Sequence, residues 1–227
     1  MTRAGLDTVF NGLTMAATLA CLSIYAYRQF HRPTPIGPTA EVEWRSYLTR
    51  GERLGAVNPT VTITEFSDFK CPFCLRLKGS LDTILQRYPN DVAVVFRHFP
   101  IAKLHPDASA AAYASICAAK QGRFHAFYDL AFQRQDSLGK LRWATFAAQA
   151  GVQDTVAFSR CLSDSVTLRA IPEDRQAGQR LKVRGTPTVL VNQWRMRGTP
   201  STATLDSAIQ RELRIRRSSA VGVHISR

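Results

Sequence analysis

Along the chain, apolar and polar positions fall into three regimes. The first is Thr8 to Tyr27 (TVFNGLTMAATLACLSIYAY), which runs without one charged side chain. As a helix it would reach about 30 Å, the thickness of a hydrocarbon core. The pattern predicts an uncleaved single-pass transmembrane helix, with Tyr25 and Tyr27 as an interfacial aromatic pair. A removed signal peptide is the main alternative, because Asn11, Gly12 and several Thr and Ser dilute the apolar run. Against it stand an n-region in which Asp7 offsets Arg3 and the lack of a clean Ala-x-Ala site. A lipidated Cys21 is a third reading, weakened by the missing large aliphatic residue three positions earlier. A buried core helix is a fourth. The second regime, His31-Arg32-Pro33-Thr34-Pro35-Ile36-Gly37-Pro38, excludes helix and reads as an extended stalk. Residues 1–40 are thus expected to be anchor and stalk, and residues 41–227 a separate domain. Arg3 on one side and Arg28 and Arg32 on the other leave the orientation to be decided by chemistry.

The third regime is globular. Val61-Thr62-Ile63-Thr64-Glu65-Phe66 alternates with β-branched residues, as a strand does, and Leu77, Leu81, Ile84, Leu85 and Tyr88 recur at helical spacing. Val92-Ala93-Val94-Val95-Phe96 is a continuous apolar run, the mark of a strand covered on both faces. Roughly residues 102–182 are Ala-rich, hold no convincing strand, and predict several short helices. His105-Pro106-Asp107 starts the first, Gly122 stops it, and Phe124, Phe127, Tyr128 and Phe132 face inward on the second. Gly151 and the acidic turn Pro172-Glu173-Asp174 mark later helix boundaries. Thr188-Val189-Leu190-Val191 and Trp194-Arg195-Met196 then read as a hairpin across Asn192-Gln193, and Leu205, Ala208, Ile209 and Leu213 as one stripe of a last helix. The order is strand, helix, strand, helical block, two strands, helix, an α/β domain without internal repeats.

Into this layout falls Cys71-Pro72-Phe73-Cys74, just after the first strand and opening the first helix. Cysteines three apart can close a small disulfide ring. The free N–H groups and positive dipole of a helix N-terminus favour a thiolate. Cys71, at the exposed end with Lys70 adding charge, is the expected nucleophile, and Cys74, one turn inside, the buried resolving thiol. Zinc, the competing use of such a pair, needs about four ligands, and no second Cys-x-x-Cys or close Cys/His pair exists, so no metal is expected. Glu65 shares a strand face with Val61 and Ile63, where desolvation would raise its pKa and let it trade a proton with a nearby thiol. The plainer alternative is an edge-strand surface residue. Gly185-Thr186-Pro187-Thr188 enters a strand with an X-Pro bond, a candidate cis peptide that would offer the Thr186 backbone to an extended substrate, the alternative being a trans turn. His98 and His105 flank the way into the helical block, and His31, His125 and His224 read as surface residues.

Composition narrows the field. With 45% apolar and 21% charged residues, 227 residues exclude disorder and coiled coil, and five cysteines are too few for a disulfide-held mini-protein. Thirty Lys and Arg against seventeen Asp and Glu leave a net charge of +13, which suits nucleic acid, anionic lipid or acidic partners. The basic stretch Arg211 to Arg217 is interleaved with Leu213 and Ile215 and no nucleic-acid motif accompanies it. A solvated helix face is expected there, and no nucleic-acid binding.

Glu65-Phe66-Ser67-Asp68-Phe69-Lys70-Cys71-Pro72-Phe73-Cys74, Phe96-Arg97-His98-Phe99-Pro100, Gln121-Gly122-Arg123-Phe124 and Gly185-Thr186-Pro187-Thr188, in that order, resemble the DsbA-like thiol:disulfide oxidoreductases of the thioredoxin fold over about residues 55–215. The resemblance implies a thioredoxin core interrupted by the helical insertion at about 102–182. It also implies a periplasmic or equivalent extracytoplasmic domain on the inner membrane, exchange with cysteines of secreted polypeptides, a quinone-linked membrane redox partner and no bound cofactor. Carried over by position, Cys71 resembles the nucleophile, Cys74 the resolving cysteine, Glu65 the buried acid, and Pro187 the cis-proline facing the active site. Pro72, Phe73 and Thr186 complete the substrate-facing surface. Cys117 and Cys161 fall in the insertion, where some members carry a structural disulfide; two independent buried cysteines are the alternative. Pro72-Phe73 departs from the Pro-His pair of the best-known oxidases, and without that histidine a weaker oxidant is implied. An oxidase is the expected activity, with a reductase or isomerase fed by a membrane donor, or a non-enzymatic thioredoxin-fold chaperone, as competing readings.

Overall fold

The computed structural model describes residues 18–25, 39–196 and 198–223. The chain divides into two units, residues 1–37 and 38–227. Of the first, residues 18–25 are helical and exposed. The rest of the expected membrane segment and the stalk from His31 to Pro38 lie outside the described residues, as does His224. No helix among the described residues is long and apolar enough to cross a membrane.

The second unit is built on one six-stranded sheet. In chain order its elements are β1 (Thr39–Ala40), a 3-10 turn (Trp44–Leu48), β2 (Glu52–Gly55), β3 (Val61–Ser67), α1 (Pro72–Arg87) and β4 (Val92–His98). The insertion follows as α2 (Ala108–Ala119), α3 (Phe124–Gln133), α4 (Trp143–Gln149), α5 (Thr155–Cys161) and α6 (Ser165–Arg180). The chain ends in β5 (Thr188–Val191), β6 (Trp194–Arg195) and α7 (Thr202–Val223). The strand order is β1-β6-β5-β3-β4-β2. β3 and β4 are parallel, as a β-α-β unit requires, and β5 runs antiparallel to β3 with Glu65 opposite Val189. Every residue of β3, β4 and β5 is buried. The alternation in Val61–Phe66 therefore reports residue type, not a wet face, because helices cover both sides of the sheet.

Two strands carry no pattern in the sequence. β2 reads Glu-Arg-Leu-Gly and pairs with β4 through Glu52–Phe96 to Gly55–Ala93. Glycines bracket it because no side chain fits: a Cβ at Gly51 would stand 2.5 Å from the Phe96 carbonyl oxygen, and one at Gly55 2.7 Å from that of Val92. β1 is only two residues long and pairs with β6.

The helical boundary expected at Pro172 is absent: α6 runs through it, with its N-terminus capped by Asp164, whose carboxylate accepts from the Val166 and Thr167 amides. A proline inside a helix leaves the carbonyl four residues back without its N–H partner. Here that carbonyl, Leu168 O, accepts a hydrogen bond from the Tyr113 hydroxyl of α2 at 3.3 Å. The other insertion helices follow the sequence reading, with positive φ at Gly122 and Gly151 closing α2 and α4.

Between the sheet and the insertion lies an aromatic core. Phe69 stacks on Phe96 with ring centroids 5.0 Å apart and meets Phe132 at 5.2 Å, while Tyr128 meets Phe96 at 5.5 Å and Phe132 at 5.1 Å. Buried Phe124 and Phe127 join them. On α7, Leu205 and Ile209 are buried, Arg211 stacks over the Trp194 ring, and Arg214, Arg216 and Arg217 are exposed.

Candidate active site

The turn from β3 into α1 is fixed before it reaches the cysteines. The buried Asp68 carboxylate accepts from the Lys70 and Ile101 amides, each at 2.8 Å, and pairs with His105 Nδ1 at 2.8 Å. Phe69 plugs the aromatic core one residue later. Cys71 then takes the N-cap position with extended backbone (φ −79°, ψ 122°), and Pro72 stands in the first turn, where its missing N–H costs nothing. The Cys71 carbonyl accepts from the amides of Cys74 and Leu75.

Both cysteines are free thiols, so this is the dithiol form. Cys71 Sγ donates to the Thr186 carbonyl oxygen at 3.3 Å. Its pKa is pulled down to about 5, chiefly by the Cys74 thiol, then by the Thr186 side chain and the Cys74 and Phe73 amides, against the opposing effect of burial. Cys74 is only 1% exposed, and burial together with the neighbouring Cys71 drives its pKa far up. The pair therefore divides into a ready thiolate and a reluctant thiol. Two details of the sequence reading need correcting. Cys71 is only 5% exposed, because Thr186 is packed against its sulfur. Lys70 turns its ammonium to the Gln135 carbonyl oxygen at 3.1 Å, and the causes that lower Cys71 are the Cys74 thiol, the Thr186 side chain and backbone amides.

Glu65 sits on the central strand, between β5 and β4, and is 1% exposed. The edge-strand alternative fails for that reason. Burial raises its pKa to about 8, opposed by Ser67 and by Tyr128, whose hydroxyl lies 3.5 Å from Glu65 Oε1. Below pH 8 it is mainly the neutral acid. The Thr186–Pro187 peptide is cis, and Thr188 opens β5 directly after it. Phe73 is half exposed, with Arg76 stacked on its ring. Cys117 and Cys161 are joined as a disulfide, with Cα atoms 5.8 Å apart. Closing a loop over a separation of 44 residues is worth about 2–4 kcal/mol by chain entropy.

Three residues here were not singled out from the sequence. Asp68 organises the turn. Gln135, which opens a 3-10 turn (Gln135–Ser137) after α3, sends its side-chain amide to the carbonyl oxygens of both Phe69 (2.8 Å) and Cys71 (3.0 Å). Ser67 is buried on the same strand face as Glu65. His98 is fully buried; burial, then Arg97, pushes its pKa down to about 3. His125 is exposed beside Asp129. Among the described residues, no group of three or more His, Cys, Asp or Glu is placed to hold a metal ion.

Comparison with known proteins follows the same lines. A family model described as thioredoxin matches residues 49–211. The Na(+)/H(+) antiporter NhaA 1 of Mycolicibacterium gilvum (strain PYR-GCK) is 34% identical over 158 residues, which cover 69% of this chain and 25% of the antiporter. The chain thus spans about a quarter of the length of the curated relatives it matches. A thioredoxin-like oxidoreductase from Silicibacter pomeroyi DSS-3 superposes with a TM-score of 0.65 at 25% identity, covering 77% of this chain and 99% of that one. DsbA2 of Pseudomonas aeruginosa gives 0.54 at 25% identity, covering 69% and 91%. With a Cys-Pro-Phe-Cys pair at the head of α1 and an α-helical block inserted after β4, the chain belongs to the thioredoxin family and, within it, to the DsbA-like thiol:disulfide oxidoreductases.

Proposed function

We propose that this protein is an oxidase, which donates the Cys71–Cys74 disulfide to cysteines of secreted polypeptides. The observation that carries this reading is the low pKa of Cys71: a disulfide whose nucleophilic cysteine is a stable thiolate once reduced gives up its oxidising equivalents readily. A substrate thiolate attacks Cys71 Sγ, the Cys71–Cys74 bond breaks, and Cys74 leaves and takes a proton. Neutral Glu65 is the donor suited to supply it. A second substrate thiolate then attacks the substrate sulfur of the mixed disulfide, and Cys71 departs as thiolate. The substrate loses two electrons and the protein gains them. Thr186, Pro187, Pro72 and Phe73 form the surface that meets the substrate. Phe73, half exposed beside Cys71, supplies an apolar contact and not a cation.

The same reading places the domain outside the cytoplasm, since Cys117–Cys161 persists only where thiols are not kept reduced. It places the chain before β1 as a single-pass anchor and stalk in the inner membrane, beside a quinone-linked partner that returns the dithiol to disulfide. That the matched relative is named as an antiporter, a membrane protein, agrees with such a domain working at a membrane. Neither nucleic acid nor a bound cofactor has a part in the cycle.

The deciding experiment is the reduction potential of the Cys71/Cys74 couple. A value towards about −120 mV supports the oxidase, whereas one near about −270 mV replaces it with the reductase or isomerase reading. Full activity of a Cys71→Ser variant in cells would instead favour a non-enzymatic chaperone. Carbonate extraction tests the anchor: release of the intact chain by salt alone would remove it.

A further inference from the structure

The basic stretch of α7 has no part in the redox cycle, and its geometry is not that of an ordinary solvated face. Leu205, Ile209, Glu212 and Arg216 fall on one stripe of the helix, at i, i+4, i+7 and i+11. The first three are buried and Arg216 is exposed. Arg214 to Ser218 are exposed in succession, which takes in every side of the helix. α7 therefore leaves the domain after Leu213 and carries Arg214, Arg216 and Arg217 beyond it. No Asp or Glu occurs from Leu213 to Arg227. The last carboxylate before them, Glu212, is turned inward to Asn192 Nδ2 at 2.9 Å and Trp194 Nε1 at 2.8 Å. Arg214 and Arg217, three apart, repel one another along the helix. A helical stretch that is exposed on all sides and lacks compensating pairs is not stabilised from within, and an anionic counter-surface supplies what is missing.

The same residues fix where this corner lies. Trp194 of β6 pairs with Ala40 of β1, where the chain enters the domain, and the Arg211 guanidinium lies 4.1 Å over its ring. Asn192 Oδ1 accepts from the Thr62 amide at 2.9 Å, so Glu212 is joined to the beginning of β3. Cys71 follows the other end of that strand, seven residues and about 20 Å away. We propose that Arg214, Arg216 and Arg217 dock this corner of the domain on an anionic phospholipid surface and so hold the Cys71 turn on the side away from the lipid. Charge chooses the occupant. The chain's own stretch from Arg28 to Pro38 holds two arginines and no acid, and a second copy bears the same +13, so neither complements the helix. Ile215, half exposed between the arginines, suits a lipid interface better than a nucleic-acid backbone. Each arginine brought to such a surface favours it about fivefold, and three together about a hundredfold.

The inference rests on the location at a membrane proposed above, and the test reads the two separately. The full chain is placed on nanodiscs of phosphatidylcholine, with or without phosphatidylglycerol. Its arginines are labelled with a dicarbonyl reagent and read one by one by mass spectrometry. With phosphatidylglycerol at low salt, labelling of Arg214, Arg216 and Arg217 is expected to slow about tenfold or more. That of Arg160 on α5 and Arg169 on α6, both exposed, should match its rate on neutral discs. Salt at about 1 M, where the Debye length is about 3 Å, should abolish the difference. Alkylation of Cys71 should keep one rate on both discs. Arg214→Gln combined with Arg217→Gln should return Arg216 nearly to its neutral-disc rate. Retention of the chain on neutral discs reports the N-terminal anchor, whatever the arginines do. Equal labelling of the three arginines on both discs, slowing of all exposed arginines alike, or protection of Cys71 would overturn the docking. So would protection of the three by a short DNA duplex and not by phosphatidylglycerol.

Discussion

The side-chain amide of Gln135 reaches across from the helical insertion to the carbonyl oxygen of Cys71, 3.0 Å away, and to that of Phe69, 2.8 Å away. The bond joins residues 64 apart in sequence and ties the insertion to the backbone of the redox turn. With Lys70 bound to the Gln135 carbonyl, one residue holds three points of the loop.

Gln135→Ala should therefore loosen the turn. The Cys71 carbonyl keeps its partners from Cys74 and Leu75, but the Phe69 carbonyl loses the amide. The expected cost is about 1–3 kcal/mol in both the dithiol and disulfide forms, the range for a buried group left unpaired. Denaturant unfolding of the two forms measures it. A loss confined to one redox form would mean that Gln135 acts on the sulfur chemistry rather than on the turn.

Alkylation of Cys71 should follow a titration with its midpoint at about pH 5 and stay level from pH 7 to 9, where an ordinary thiol is still gaining reactivity. The largest cause of the shift is the Cys74 thiol, so Cys74→Ala should move the midpoint upward by about one unit or more. The same shift sets a stability trend. A depressed folded-state pKa stabilises the dithiol form fully above the unfolded value of about 8.5, and that stabilisation is lost as pH falls through about 5. The disulfide form has no such titration. The stability difference between the two forms should therefore change across this window, and the Cys71→Ala variant, which has no disulfide form, should lack this pH trend.

How much of this was written in the sequence depended on distance along the chain. The redox pair, the strand before it and the helix after it are local, and alternation alone put Glu65 on the inner face with Val61 and Ile63. The aromatic positions of α3 were equally plain. What escaped depends on partners far away. β2 has no apolar pattern, and its place is set by glycines pressed against β4. Pro172 reads as a boundary until Tyr113 is seen to satisfy the carbonyl it orphans. Gln135 is an unremarked amide in a helical block, and only the fold brings it to Cys71.

On the other face of the sheet, Arg97 and Asp174 form a buried pair, Nε to Oδ1 at 2.6 Å. Asp174 also accepts from the His98 amide at 2.7 Å, and Arg97 donates to the Tyr47 carbonyl at 2.7 Å. Removing one partner leaves a buried charge alone. Asp174→Ala should destabilise the domain by about 3–5 kcal/mol. Because the pair packs beside Phe66, whose side chain points away from that of Glu65, the Cys71 alkylation midpoint should hold at about pH 5. A thermal melt and the alkylation profile check both halves.

Glu65 places its proton-handling role and the stability of the fold in opposition. Its folded-state pKa is raised to about 8, by burial above all, against an unfolded value of about 4.3. The stability that goes with the neutral acid is fully present below about pH 4.3 and is lost progressively as pH rises through about 8. Replacing the acid with a neutral isostere removes the titration, so Glu65→Gln should be close to neutral at pH 4 and more stable than the unaltered protein at pH 8, by about 2–4 kcal/mol. Denaturant unfolding of the disulfide form at the two pH values makes the measurement without interference from the thiols. The same variant should be slower at the step in which Cys74 gains or loses its proton. A variant that is more stable at high pH yet slower in that step is what a carboxyl kept in the core for its proton predicts. Equal stability at both pH values would mean that Glu65 is not held in its neutral form.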